Sequence, residues 1–249
     1  MVKKLREIHY ILFSCKAKAC LSVVVAALLL HGSLVTIPYA LAQTTTNKNS
    51  HVYPIDSKPN GLTYGDWSAK WWQWAVLTPA DKSPLKDNTG INCNQGQTYP
   101  IWFLAGTFGG SAERTCSIPA GKAIMFPVYN GECSFVEYPQ YKTEQDLRNC
   151  AKAQLNKVTN LDASVDRVKI QDLKSYRAQS SLFDLVLPNT NVFGLAAGPT
   201  KSVADGFWII LKPLSSGKHE IHFSGSSVDF TSSGVQNFAT EVKYHVTVQ

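Results

Sequence analysis

Glu132 lies in Asn130-Gly131-Glu132-Cys133, directly after an apolar run and beside a cysteine. A carboxylate held that rigidly has half of what general acid–base catalysis needs, and Asp66 and Glu137 are the candidates for the other half. Hydrolysis of a glycosidic bond requires two carboxyl groups flanking it, roughly 5–10 Å apart. Linear spacing does not reveal that separation, and acids in different loops also arise simply as surface charge. A catalytic set of Glu132, Asp66 and Glu137, acting as a polysaccharide hydrolase or lyase, is therefore an alternative reading and not the leading one.

The stretch Gly65-Asp66-Trp67-Ser68-Ala69-Lys70-Trp71-Trp72-Gln73-Trp74 is rich in indoles, which stack on sugar rings or fill cores. At helical spacing Tyr64, Trp67, Trp71, Trp74 and Ala75 share one face, and that face reads as core. Trp72 falls off this stripe beside Ser68 and reads equally as a packed residue or as the candidate binding residue, exposed or at the rim of a groove. Asp66 and Glu132 complete the candidate binding set.

The histidines offer less. His219 and His222 are three apart on an expected strand and point to opposite faces. His222 and His245 would meet across neighbouring strands as a surface pair, which lacks a third metal ligand. No phosphate-cradling loop, nucleophile elbow or zinc motif occurs, so no cofactor and no metal are expected. Asp205-Gly206 reads as a turn before the apolar run 207–211.

Six cysteines occur, and four of them, Cys93, Cys116, Cys133 and Cys150, follow residue 42. An even number in an exported chain reads as two disulfides. Three pairings are open, and sequential pairing, Cys93 with Cys116 and Cys133 with Cys150, needs the least long-range folding.

The elements that must position these residues begin with a helix. Thr63 and Asp66 have capping-box spacing, and Pro79 closes the far end. A turn-rich loop covers 78–94. A second helix is expected over 144–160, capped by Thr143 and Asp146, with Leu147, Cys150, Ala151, Val158 and Leu161 as its stripe. Apolar runs at 99–105 and 123–129 suit central strands, with a turn at 118–122. Further strands are expected at 164–170, 181–187, 203–211, 218–223 and 239–248, the last alternating Val242, Tyr244, Val246 and Val248 with polar residues. Many short strands, two short helices and no βαβ rhythm predict an antiparallel β-sandwich. The stretch DGFWIILKPLSSGKHEIHFSG, followed by EVKYHVTV, resembles the closing strands of immunoglobulin-like or jelly-roll domains of exported proteins; it covers about 45 residues and implies fold class alone.

The first 42 residues address the chain. Lys3, Lys4, Arg6, Lys16 and Lys18 run into an apolar stretch at 21–30, and Ala40-Leu41-Ala42 suits signal peptidase, leaving Gln43 first. An uncleaved anchor over 21–42 would just span a bilayer at ~1.5 Å per residue, but His31, Gly32 and Pro38 interrupt it, so no stable span is expected after cleavage. Removing this segment takes away five basic residues and one acidic residue, Glu7, so the formal charge falls from +6 to +2. A near-neutral, interspersed surface argues against nucleic acid as a partner. Residues 43–60 are polar and read as a flexible tether, and 61–249 as one domain. The sequence as a whole points to an exported extracytoplasmic binding domain whose partner is a carbohydrate or another envelope or extracellular protein. A structural cell-envelope component is the third reading.

Overall fold

The computed structural model describes residues 49–231 and 234–249. The expected leader over 1–42, its cleavage point at Ala42 and Gln43, and the first residues of the tether lie outside them. The rest of the tether is not loose. Val52 is buried and bridges Leu211, Tyr53 N–H donates to the Ile210 carbonyl at 2.9 Å, and Lys212 N–H donates to the His51 carbonyl at 2.8 Å. The polar composition of 43–60 hid Val52, Tyr53 and Ile55, which find an open strand end to dock on.

Helix α1 (Tyr64–Leu77) starts as its cap predicts: Thr63 Oγ1 accepts from Asp66 N–H, and the Asp66 carboxylate accepts from Thr63 N–H. Thr78 is already extended, as expected of a residue preceding proline. Helix α2 (Glu144–Leu155) repeats the box with Thr143 and Asp146 but stops short of the expected 160. Val158 and Leu161 belong instead to a strand, where the β-branched pair Val158-Thr159 is better placed.

Two mixed five-strand sheets stack in a sandwich-like arrangement. The first runs β1 (Ile101–Phe103), β3 (Ala123–Ser134) and β8 (Gly198–Leu211), with β6 (Arg177–Gln179) and β7 (Phe183–Leu187) both on the far edge of β8. The second runs β2 (Gly110–Ile118), β10 (Gly234–Val248), β9 (Gly217–Thr231), β4 (Val158–Val165) and β5 (Val168–Lys169). The expectation of purely antiparallel sheets is corrected at two places, since β1 pairs parallel with β3 and β2 pairs parallel with β10. Both parallel strands are reached by long connections rather than hairpins, which frees them to enter in either direction.

Phe126 of β3 stacks on Phe223 of β9 at 4.8 Å and joins the sheets. On the opposite face of the first sheet, Trp208 meets Trp71 of α1 at 5.4 Å. The indoles of Trp67, Trp71 and Trp74 fill this core, and each N–H also ties down a loop, donating to the carbonyls of Pro59, Leu104 and Gln95 at 2.8, 2.9 and 2.7 Å. Asp205-Gly206 is no turn but lies inside β8. Gly206 is needed there because a Cβ would stand 2.6 Å from Trp208 Nε1.

Strand β2 escapes prediction. Its buried positions are Ala112, Arg114, Cys116 and Ile118, and an arginine at an inward position breaks the alternation by which such strands are recognised.

The bridges are Cys93–Cys116 and Cys133–Cys150. The first ties the 78–100 loop to β2, the second ties the end of β3 to α2. Two disulfides place the folded domain in an oxidising, extracytoplasmic environment. Among the described residues no helix is long and apolar enough to cross a membrane.

Candidate functional site

The carboxyl groups expected to cooperate divide between two places. Asp66 is absorbed by the cap of α1, where its carboxylate also accepts from the Thr63 hydroxyl at 2.6 Å. It is not a partner for Glu132. Replacing it with alanine should cost about 1 kcal/mol of stability, read from the urea midpoint, and leave the surroundings of Glu132 unchanged.

Glu132 and Glu137 do come together. Glu132 projects from the last turn of the pleat in β3 and is only 5% exposed. Ser202 Oγ of β8 donates to its Oε2, and its Oε1 receives no N–H or O–H donor. Glu137, on the turn that follows β3, accepts from Ser134 Oγ at 2.6 Å and lies against Glu132. Burial, then contact with Glu137, pushes the Glu132 carboxyl well above its ordinary range, against the smaller opposing pull of Ser202. Two acceptor groups in contact need a proton between them, and burial favours the neutral form of Glu132 as its carrier. A glycosidase needs its carboxyls separated by the bond to be cleaved; these two touch, and the inner one is closed off from solvent.

On the other face of β8, Arg177 grips the buried Asp205 carboxylate with two hydrogen bonds, at 3.0 and 2.8 Å. This ion pair fastens β6 and satisfies a charge that the sequence suggested was a turn residue.

Trp72 does not form a groove rim. It is 6% exposed, packed edge-on to Trp71 at 5.1 Å and under Phe193 at 6.4 Å. The loop carrying Phe193 is knitted by buried Asn191, whose amide donates to the Pro188 and Leu195 carbonyls at 3.0 and 2.8 Å. Stacking of a ligand on Trp72 is thereby excluded: a loop 120 residues downstream covers a face that helical spacing left open.

The rings that reach the surface are different ones. Phe108 packs on Phe193 at 6.0 Å, and Phe238 of β10 packs on Tyr129 at 5.8 Å. A Cβ at Gly109, next to Phe108, would lie 3.3 Å from the Phe238 ring. These residues form one ridge, with Phe108 47% and Phe238 39% exposed. No periodicity in the sequence marked them, because they come from two loops and a hairpin.

The histidines pair with acids and not with each other. His222 Nε2 faces Glu241 at 2.9 Å, and His245 Nε2 faces Glu113 at 2.6 Å. His219 Nδ1 contacts Asp166 at 2.8 Å while Ser215 Oγ lies 3.4 Å from Nε2, an outline of a nucleophilic triad. The nearer neighbour of Nε2 is the Ser215 carbonyl, at 2.8 Å. A carbonyl only accepts, so Nε2 carries a proton and cannot take one from the hydroxyl. Burial alone would lower the His219 pKa, but the Asp166 carboxylate and this carbonyl outweigh it and raise it. The ring locks a turn; it does not activate a serine.

No family model, curated protein or solved structure matches the chain. The function must therefore be argued from the aromatic ridge and the carboxyl pair themselves.

Proposed function

We propose that this chain is an exported binding domain without catalytic chemistry, and that its ligand is an extended apolar segment of another envelope or extracellular protein. The observation that carries this reading is the coincidence of exposed rings with an open strand edge. β10 pairs with β2 only from Thr240 onward. Residues 235–239 pair with β9 on one side and, among the described residues, have no neighbouring strand on the other. Val235 is 54% exposed and Phe238 39%; three apart in this stretch, they stand on its opposite faces. An added strand would gain ladder hydrogen bonds from the edge and apolar contact from the rings.

Carbohydrate recedes as ligand because Trp72 is buried and the outward rings are phenylalanines, which have no polar tip for a hydroxyl. The contact of Glu132 with Glu137 weighs against the hydrolase or lyase alternative, and a purely structural envelope role makes no use of the open edge. Export rests on the leader read in residues 1–42, with cleavage after Ala42. Kinship with immunoglobulin-like or jelly-roll domains belongs to the same proposal, carried by the β9–β10 hairpin.

Fluorescence anisotropy with labelled peptides of alternating Val/Phe and polar residues, beside a panel of soluble glycans, tests the reading. Peptides should bind, and the double substitution Phe108→Ser, Phe238→Ser should weaken them at least about tenfold, a loss of ~1.4 kcal/mol. Glycan binding without peptide binding would replace this reading with the sugar one, and binding of neither would leave the structural role.

A further inference from the structure

At the far end of β3 a closed polar network stands apart from the proposed binding edge. Register sets Ser134 opposite Ser202. Each serine hydroxyl holds one carboxyl group, Ser202 that of Glu132 and Ser134 that of Glu137. The two carboxyls meet in the middle, and among the described residues no hydrogen-bond donor reaches Glu132 Oε1. Ser202 Oγ also lies 3.0 Å from the Cys133 carbonyl, so the network is continuous with the half-cystine of the Cys133–Cys150 bridge.

The turn that carries Glu137, together with Leu182, packs over the Cys133 end of that bridge, while Cys150 stays half-exposed. Phe135, Tyr138 and Tyr141 pack against the small cluster of Cys133, Leu147, Ala151 and Val203. Tyr138 and Tyr141 stack at 5.4 Å. Gln154 of α2 reaches Cys133 Sγ at 3.2 Å, the Glu132 carbonyl at 3.4 Å and the Tyr138 hydroxyl at 3.4 Å. Glu132 is fixed in a central strand, whereas Glu137 is half-exposed on the turn. If the two repel, the turn is the part that moves.

We propose that Glu132 and Glu137 form a proton-operated latch: one proton shared between them holds the 135–142 turn closed over the Cys133–Cys150 bridge, and its loss opens the turn and exposes the bridge. The groups facing the Glu132 carboxyl are Glu137 and Tyr138 from the turn and Ser202 from β8; Gln154 of α2 touches Glu132 only at its backbone carbonyl. None is a cation, so nothing local offsets a second negative charge. Burial, and after it the charge of Glu137, likewise pushes the Tyr138 hydroxyl upward, so it stays neutral across the working range. The direction follows from linkage. The folded pair holds its proton above the ordinary carboxyl value of 4.5, so the closed form is fully favoured below that value and loses its advantage as pH rises through the raised one. Acid closes the latch and alkali releases it.

The oxidised protein provides its own control in the second bridge, Cys93–Cys116, which has no carboxyl pair beside it. A brief pulse of a water-soluble phosphine, followed by alkylation and mass spectrometry, gives the reduction rate of each bridge. As pH rises above the ordinary carboxyl range, the rate for Cys133–Cys150, relative to the other, should rise at least about tenfold over the span in which the pair loses its proton, because each pH unit multiplies the ratio of ionised to protonated acid tenfold. Glu132→Gln supplies a permanent donor to Glu137 and an acceptor to Ser202, so its ratio should stay low and flat. Glu137→Gln removes the second charge and should flatten the profile as well, providing the same comparison should the first variant not fold. A flat ratio in the wild type, or a rise as steep in either variant, would overturn the latch.

Discussion

Replacing Arg114 with methionine should cost the fold about 3–5 kcal/mol, because it strips the donor from buried oxygens that each cost about 1–3 kcal/mol when left unpaired. Arg114 is 1% exposed, and among the described residues no carboxylate pairs with it. Its guanidinium is spent on neutral acceptors: the carbonyls of Asp87, Ala105 and Gly106 at 2.6, 2.6 and 3.0 Å, and the Tyr244 hydroxyl at 2.7 Å. Removing it leaves the Asp87 and Gly106 carbonyls without that donor, at about 1–3 kcal/mol each before relaxation. Tyr244 and Ala105 keep each other, the hydroxyl donating to the Ala105 carbonyl at 3.1 Å and accepting from the Ala105 N–H at 3.0 Å. The surrounding turn is built to meet it. Burial alone would raise the Asp87 carboxyl, but the N–H groups of Asn92, Thr89 and Gly90 and the Thr89 hydroxyl outweigh it and hold it below its ordinary range. The measurement is the guanidinium midpoint at unchanged slope. A loss under ~1 kcal/mol would mean that water replaces the guanidinium, contrary to this account. Lysine should recover only part of the loss, since a single ammonium cannot reach all four oxygens. The same substitution should weaken peptide binding, because the 104–109 segment that presents Phe108 hangs from these bonds.

Trp71→Ala should be of similar size, about 3–5 kcal/mol for the truncated ring and ~1 kcal/mol more for its hydrogen bond to the Leu104 carbonyl. Trp71 is the hub of the aromatic core, touching Trp72, Trp74 and Trp208 at 5.1, 5.9 and 5.4 Å. Trp72 supplies the contrast. Among the described residues its indole N–H has no acceptor, so Trp72→Phe gives up volume but no hydrogen bond and should cost less than Trp71→Phe in the same calorimetric series. Equal losses for the two phenylalanine variants would show that the Trp71 N–H contributes nothing.

Both predictions concern residues whose importance the chain shows unevenly. The tryptophan stripe was legible as core because helical periodicity acts over three or four residues, and that is written in Trp67, Trp71 and Trp74. The capping boxes at Thr63 and Thr143 were legible for the same reason. So were the two bridges, whose half-cystines stand 23 and 17 residues apart, and the alternation of β10. The burial of Trp72 was not legible because its cover, Phe193, arrives from a distant loop. β2 was invisible because Arg114 occupies an inward position that is tolerable only where Tyr244, 130 residues later, and three loop carbonyls meet it.

The sequence by itself determined a mainly β domain with two capped helices and two disulfides, because caps, periodicity and closely spaced cysteines are local properties of the chain. Tertiary structure alone decided that Glu132 would face Glu137 and not Asp66, that Ser202, 70 residues on, would hold it, and that two strands would enter parallel. Those outcomes depend on strand register, and register is chosen by the sum of weak contacts over both sheets, which no short stretch of residues contains.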